Sequence, residues 1–337
     1  MRAKQGNLPA LLFVFCVLFL SCSKFSPRHV KHNYFRIDTF TEITIVQTKQ
    51  MDMEPVWNGI DLLLLDWEER FSPGNEKSEL LAMNKRHSNC VPVSPKLGEI
   101  ICTGLMYGDS LDGMFDITIL PIKELWGLGE KGGAQRVPPK DSISLILKKV
   151  DYRKVKVNKF HDSLFFDSPD IKIDVGGIAK GFVLDEIGHY LDKFGFQNFL
   201  IVAGGDILCK GGRCDGRAWR IGIQHPRHPG QLLGLVDLDS GSIVTSGDYQ
   251  RFWMKDGIRY HHIFNPRTGI SCAKNQSLTL WGMDPIEIDI LSTGLFGLSA
   301  DSIISFINIR PRLEGVVVDS SGNKMASNGW AEKIQWN

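Results

Sequence analysis

The most constraining stretch of the chain runs from Ile171 to Gly195. Ile171, Ile173 and Val175 alternate with Lys172 and Asp174, the period-two pattern of a strand with one buried face. Gly176-Gly177 breaks that pattern. Ile178, Val183, Ile187, Leu191 and Phe194 then recur at helical spacing, and Gly195 marks the stop. Such a unit leaves backbone N–H groups exposed at a helix start, with Lys180 one turn in, and that arrangement favours phosphate. A Gly-Gly step is equally the chemistry of a plain tight connection. The spacing is neither G-x-x-x-x-G-K-[ST] nor G-x-G-x-x-G, so the stretch is neither a P-loop nor a dinucleotide fingerprint.

The flanking chain mixes strands and helices without regular βα alternation. Glu42 to Ile45 alternates as a strand. Trp57, Ile60, Leu64, Trp67 and Phe71 fall on one face of a helix. A second helix is expected over Pro95 to Tyr107, and Asp141 reads as an N-cap before Ile143 to Val150. Phe199 to Ala203 reads as a buried strand and Trp219 to Ile223 as an edge strand. Leu235 to Asp239, Ser277 to Trp281 and Val316 to Asp319 read as further strands, and Ile288 to Leu298 as a helix. The pattern predicts an α+β fold, a single body of mixed sheets and helices, rather than a doubly wound sheet.

Charge excludes one class of function. The 337 residues carry 39 Lys or Arg against 38 Asp or Glu, too balanced for a protein that grips nucleic acid. Even the small surplus comes from the N-terminus. Arg2 and Lys4 precede the uncharged apolar run Leu11 to Leu20, followed by Ser21-Cys22. This is the form of a secretory leader, too short for a membrane-spanning helix. Cys22 stands where a bacterial lipoprotein signal places its lipidated Cys, and an ordinary signal cut nearby is the alternative. Residues 1–21 are expected to be a signal peptide, 22–33 a lipidated Cys and polar tether, and 34–337 the working domain. Cys209 and Cys214 are close enough in sequence for a loop disulfide.

Three more stretches bear chemistry. Asp289 and Thr293 stand four apart in a helical pattern and project from one face. A carboxylate with a hydroxyl suits a hard cation, although the same spacing also serves solvated or capping pairs. His261-His262-Ile263-Phe264 runs into the turn Asn265-Pro266-Arg267-Thr268-Gly269, which presents a His as a base, as a phosphate contact or as plain surface. Asp112-Gly113-Met114-Phe115-Asp116, followed by Trp126, is either a structural turn or a holder for a flat ring.

Taken together and in this order, these stretches resemble the bacterial FAD:protein FMN transferases, the ApbE-type flavin-transferring lipoproteins. The resemblance runs from about Phe35 to about Ala300. It includes Phe71-Ser72 with Ser78-Glu79 and Asn84, Gly113 to Pro121 with Leu125-Trp126-Gly127, Ile173 to Gly181 with Asp185, Ala203 to Asp206, Thr245 to Tyr249, His262 to Gly269, and Asp289 with Thr293. It implies a T-fold-like architecture and Mg²⁺-dependent transfer of FMN from FAD to a Thr hydroxyl of an acceptor protein, with release of AMP. The implied acceptors are flavoprotein subunits of membrane redox complexes. The implied location is outside the cytoplasmic membrane, anchored to the lipid bilayer through Cys22 and facing the periplasm.

By resemblance, Ile37, Met114, Phe115, Asp116, Asp174, Lys180 and Ile263 are the FAD contacts. Gly177, Asp289, Ser292 and Thr293 are the metal ligands, and His262 acts on the acceptor hydroxyl. The chain departs from the family at Ile37-Asp38-Thr39, where Met-Gly-Thr is usual, and at Pro73-Gly74-Asn75, where a Tyr often follows Phe-Ser. It also has Asn265 where an Asp is common. An FAD pyrophosphatase and a non-catalytic flavin-binding lipoprotein are the alternatives.

Overall fold

The computed structural model describes residues 26–72, 75–129, 133 and 135–337. The leader, Cys22 and the Pro73-Gly74 departure lie outside the described residues. Eight strands form a sheet whose spatial order follows the chain: β1 (Arg28–Arg36), β2 (Thr39–Gln47), β3 (Phe199–Ala203), β4 (Asp206–Lys210), β5 (Ser240–Gly247), β6 (Asn275–Gly282), β7 (Glu314–Asp319) and β8 (Lys324–Ala326). Every neighbouring pair is antiparallel. Between β2 and β3 the chain inserts α1 (Glu54–Phe71), α2 (Glu79–Asn84), α3 (Pro95–Ser110), α4 (Leu120–Leu125), α5 (Lys140–Leu147) and α6 (Ala179–Lys193). Helices α7 (Pro285–Leu295) and α8 (Ala300–Asn308) follow β6.

The sheet is buried on both faces, which makes this a layered α+β body. On one face Ile43, Ile45, Leu278, Leu280 and Val317 pack with Trp57, Ile60, Leu64 and Trp67 of α1, Ile187 of α6 and Ile290 of α7. On the other face Val46, Cys209, Ile243, Val316 and Val318 pack with Trp219, Ile221 and Ile223. Those last three belong to a small sheet in which Leu232–Leu238 lies between Trp219–Gln224 and Gln335–Trp336. Among the described residues no helix is long and apolar enough to cross a membrane.

Three local expectations are corrected. The tether does not extend to residue 33, because β1 pairs with β2 from Arg28↔Gln47 to Arg36↔Thr39. Its buried face was hidden by polar residue types: the Tyr34 hydroxyl donates to Trp57 O at 2.9 Å, and the His32 ring stacks on Trp57. Asp141 is not an N-cap. Pro139 holds that place, and Asp141 sits in the first turn of α5, where its charge suits the helix dipole.

Among the described residues Ile171 to Val175 joins no ladder, and Asp174 is buried along with Ile171, Ile173 and Val175. The Ile173 backbone is clasped by one side chain instead: Asn84 Nδ2 donates to Ile173 O and Ile173 N donates to Asn84 Oδ1, both at 2.7 Å. Asn84→Ala is expected to cost about 2–4 kcal/mol in urea denaturation, because two enclosed backbone groups lose their partners. A cost near zero would mean that water replaces the clasp. Among the described residues the cysteines show no disulfide: Cys209 and Cys214 are free thiols, the first buried in the core and the second exposed.

Candidate active site

The segment that Asn84 clasps leads directly into the site. Ile178 N and Ala179 N both donate to Val175 O, so α6 begins immediately after Gly176-Gly177. Helix α7 crosses here at close range. A Cβ on Gly181 would lie 2.6 Å from Pro285 O and 2.7 Å from Ile286 Cα, so only glycine permits the contact. That approach brings the Asp289 carboxylate onto the start of α6, where Oδ2 accepts from Gly181 N at 2.9 Å. Asp284 caps α7 by accepting from Ile286 N and Glu287 N, with Pro285 opening the helix.

A cleft of about 450 Å³ opens beside this crossing. Its lining includes Ile37, Met114, Phe115, Asp116, Asp174, Gly177, Lys180, His262, Ile263, Asp289 and Thr293. Eleven of the residues singled out in the sequence therefore meet in one place, drawn from the β1–β2 turn, the α3–α4 connection, the start of α6, the His262 loop and α7. Thr293 stands next to Gly177: a Cβ on Gly177 would lie 3.1 Å from Thr293 Cγ2 and 3.3 Å from its Oγ1.

The remaining predicted metal ligand turns elsewhere. Ser292 is fully buried, donates to Asp289 O at 2.9 Å, and exchanges a hydrogen bond with Ser246 Oγ. Since its one proton goes to Asp289 O, Ser246 is the donor in that second bond. Ser292 thus ties α7 to β5 and is not part of the cleft lining. Trp126 is also outside the lining. It is buried with Trp253 and Phe264, and its Nε1 donates to Gly269 O, so it clamps the Asn265–Gly269 turn.

Two polar clusters of opposite character share the cleft. In the first, Asp206 is buried on β4, pairs with Lys180 and accepts from Thr245 N. Burial lifts the Asp289 carboxyl to about 6, Lys180 pulls against it and Asp206 adds to the rise. Burial alone would lower the Lys180 ammonium, but Asp206 and Asp289 more than reverse that. Two carboxylates thus share one cation, and the cluster has room for positive charge.

In the second cluster Asp174 pairs with the buried Lys123 and accepts from Gly176 N at 2.6 Å. Burial opposes the Asp174 charge, but Lys123 and the Gly176 amide overcome it and hold the carboxyl below its usual range. His262 lies beside them. Burial, then Lys123, His261 and Arg251, push its imidazole down to about 3, so it is neutral at pH 7. Its Nδ1 is buried without a hydrogen-bond partner. Asp116 faces the cleft with its oxygens already engaged, by the Thr118 amide and hydroxyl and by Tyr152 N.

Ile37 is held in a conformation that its side chain resists. Ile37 and Asp38 form a two-residue hairpin turn with φ of 55° and 51°, a pairing that favours Asn-Gly. Ile37 N donates to Glu68 Oε1 at 3.1 Å, and its side chain packs against the main core at the cleft edge. Ile37→Asn is expected to stabilise the protein by about 1 kcal/mol in urea denaturation. Unchanged stability would argue against strain at this turn.

The residue types at the crossing suit a hard cation: the cleft lining brings Asp289, Thr293 and Gly177 together, one carboxylate with a hydroxyl and a backbone carbonyl as oxygen donors that could hold it. Among the described residues no group of three or more His, Cys, Asp or Glu side chains gathers to hold a metal. One carboxylate with neutral oxygens leaves coordination positions for water and for substrate oxygens, the usual Mg²⁺ arrangement.

Sequence reasoning missed Lys123 and Arg251 in the lining, and it quoted Asp206 only as part of a motif. A buried Lys in a short apolar helix gives no local signal, because its partner Asp174 lies 51 positions away.

Residues 37–317 match the sequence profile of the ApbE family, so the chain belongs to that family. Among curated proteins, the FAD:protein FMN transferase of Escherichia coli K12 is 28% identical over 256 residues, covering 74% of this chain and 72% of that protein. The Vibrio cholerae FAD:protein FMN transferase is 28% identical over 287 residues, covering 83% and 84%. Among solved structures, the ApbE protein of Thermotoga maritima superposes with a TM-score of 0.82 at 27% identity, covering 91% of this chain and 99% of that one. The flavin transferase ApbE of Vibrio cholerae gives 0.80 at 25% identity, covering 91% and 99%.

Proposed function

We propose that this protein is an FAD:protein FMN transferase that uses Mg²⁺, transfers FMN to a Thr hydroxyl of an acceptor flavoprotein, and releases AMP. The observation that carries this reading is the pairing of the two clusters in one cleft: an acid-rich crossing at Asp289 beside a cation-flanked neutral His262. A dinucleotide diphosphate with a bound cation matches both.

In the reaction the acceptor oxygen bonds to the FMN phosphorus while the bond from that phosphorus to the AMP oxygen breaks. The hydroxyl proton leaves with a base, and AMP carries away the electron pair. Asp289, Thr293 and the Gly177 carbonyl would hold the cation, which when bound supplies charge neutralisation for the diphosphate. The role of His262 is to accept the hydroxyl proton, since a Thr hydroxyl is a poor nucleophile until a base takes it. Met114, Phe115, Ile37 and Ile263 give the cleft an apolar side suited to a flavin ring. Asp116 and Asp174 fix the walls through the bonds above.

The leader sequence and Cys22 support export and lipid anchoring, with the acceptor drawn from flavoprotein subunits of membrane redox complexes. The test is incubation with FAD, Mg²⁺ and an acceptor domain, followed by denaturation. Flavin that stays on the denatured acceptor, with no labelling when EDTA is present during the incubation, is the expected result. Free FMN with unlabelled acceptor would support a pyrophosphatase instead.

A further inference from the structure

We infer that Arg251, together with Lys123, binds the diphosphate of the flavin dinucleotide beside His262. The inference rests on the flavin-transferase reading and assigns to these residues the phosphate contact that the sequence placed on Lys180.

The charge pairing in the cleft carries the argument. Of the cations lining it, Arg36 is occupied by Asp61 and Glu68, and Lys180 by Asp206. Lys123 is matched one to one by Asp174. Arg251 is exposed at the cleft, and among the described residues its guanidinium has no hydrogen-bond or ion-pair partner. Asp206, Asp289 and Lys180 therefore sum to one negative charge, and Asp174, Lys123 and Arg251 to one positive charge. The first group calls for a cation and the second for an anion.

Backbone geometry keeps Arg251 in place. His262 N donates to Arg251 O at 3.1 Å, so the guanidinium and the imidazole spring from two strands of chain bonded to each other. The ammonium of Lys123 sits over the glycine turn: a Cβ on Gly176 would lie 3.6 Å from Lys123 Nζ and 2.9 Å from Asp174 Oδ1. Glycine at 176 thus leaves that ammonium reachable from the cleft. A guanidinium without a partner among the described residues offers a planar fork that matches phosphate oxygens. The buried His262 Nδ1, without a hydrogen-bond partner, lies in the same lining as these cations.

The test compares flavins with and without phosphate on the purified full-length protein, in EDTA so that cation binding plays no part. Arg251→Met is expected to weaken FAD binding by about tenfold or more, the loss of a charge-assisted hydrogen bond, and riboflavin binding by less than about twofold. FAD affinity should also depend less steeply on KCl concentration in the variant, because one cation fewer meets the ligand. Arg251→Lys should fall between, keeping the charge but not the fork. Lys123→Met should act in the same direction, but it strands Asp174, so the exposed Arg251 is the deciding position.

Equal weakening of FAD and riboflavin, or an unchanged FAD affinity and salt slope, would overturn the assignment. The two readings fail separately. Protein that binds FAD with this pattern yet labels no acceptor removes the transferase reading alone. Protein that labels acceptors normally with Arg251→Met at unchanged FAD affinity removes this inference alone.

Discussion

Asp289→Asn should reduce transfer of flavin to an acceptor by at least about 10²-fold while leaving the fold intact. The amide keeps an oxygen for Gly181 N and nearly the same volume, so the α6–α7 crossing survives. What is lost is the negative charge that makes the crossing attractive to a cation. Thr293 Oγ1 and the Gly177 carbonyl are neutral and cannot substitute for it. Asp289→Ala should be at least as severe, with an added stability loss because a buried N–H is left unpaired. The measurement is the rate of acceptor labelling at saturating Mg²⁺, with thermal unfolding as the control. A variant that labels acceptors at the parent rate would remove Asp289 from the account.

His262→Ala should slow labelling by about 10²–10⁴-fold, the usual cost of losing a general base, while FAD still binds. The pH behaviour gives an independent readout. In the free protein His262 is pushed down to about 3 by burial and by Lys123, His261 and Arg251. Protonation of this group therefore cannot remove activity from the free enzyme between pH 5 and 8. A bound diphosphate places negative charge against the same cations, so the His262 pKa should rise in the complex. That shift strengthens the base at the point where the acceptor proton must leave. NMR of ¹³C-labelled His across pH, with and without FAD, reads it directly. A His262 resonance that titrates identically in both states would contradict the proposed proximity to the diphosphate.

Much of the site was legible because its parts are local. Gly176-Gly177 with the start of α6, the Asp289 and Thr293 spacing, and the His262 turn are each visible within a few residues, each with a plain structural reading beside it, and only their order along the chain, through the family resemblance, gave them roles. The structure then needs only one glycine contact, at Gly181, to bring the first two together. Lys123 was not legible, because a buried Lys is explained only by its distant Asp174. Arg251 is an ordinary surface Arg until the partners of every other cation in the cleft are known. Ser292 entered the ligand set only through the family resemblance, and in the structure its hydroxyl is engaged by the helix backbone at Asp289 O and by Ser246.

The fold shows the same division. Helix α1 and strands β3, β6 and β7 were readable from apolar period. Strand β1 was not, because Tyr34 is its one buried residue, beside a half-buried His32 against Trp57, and the segment from Ile171 to Val175 has a side-chain clasp in place of a ladder.

The central claim is that this cleft moves FMN from FAD onto a protein hydroxyl. Its most direct test is the intact mass of an acceptor domain after incubation with the protein, FAD and Mg²⁺, with AMP quantified in the same reaction. The account predicts acceptor carrying one FMN through a phosphoester, with one AMP released for each flavin attached. AMP released with equimolar free FMN, and acceptor of unchanged mass across several acceptor domains, would contradict it.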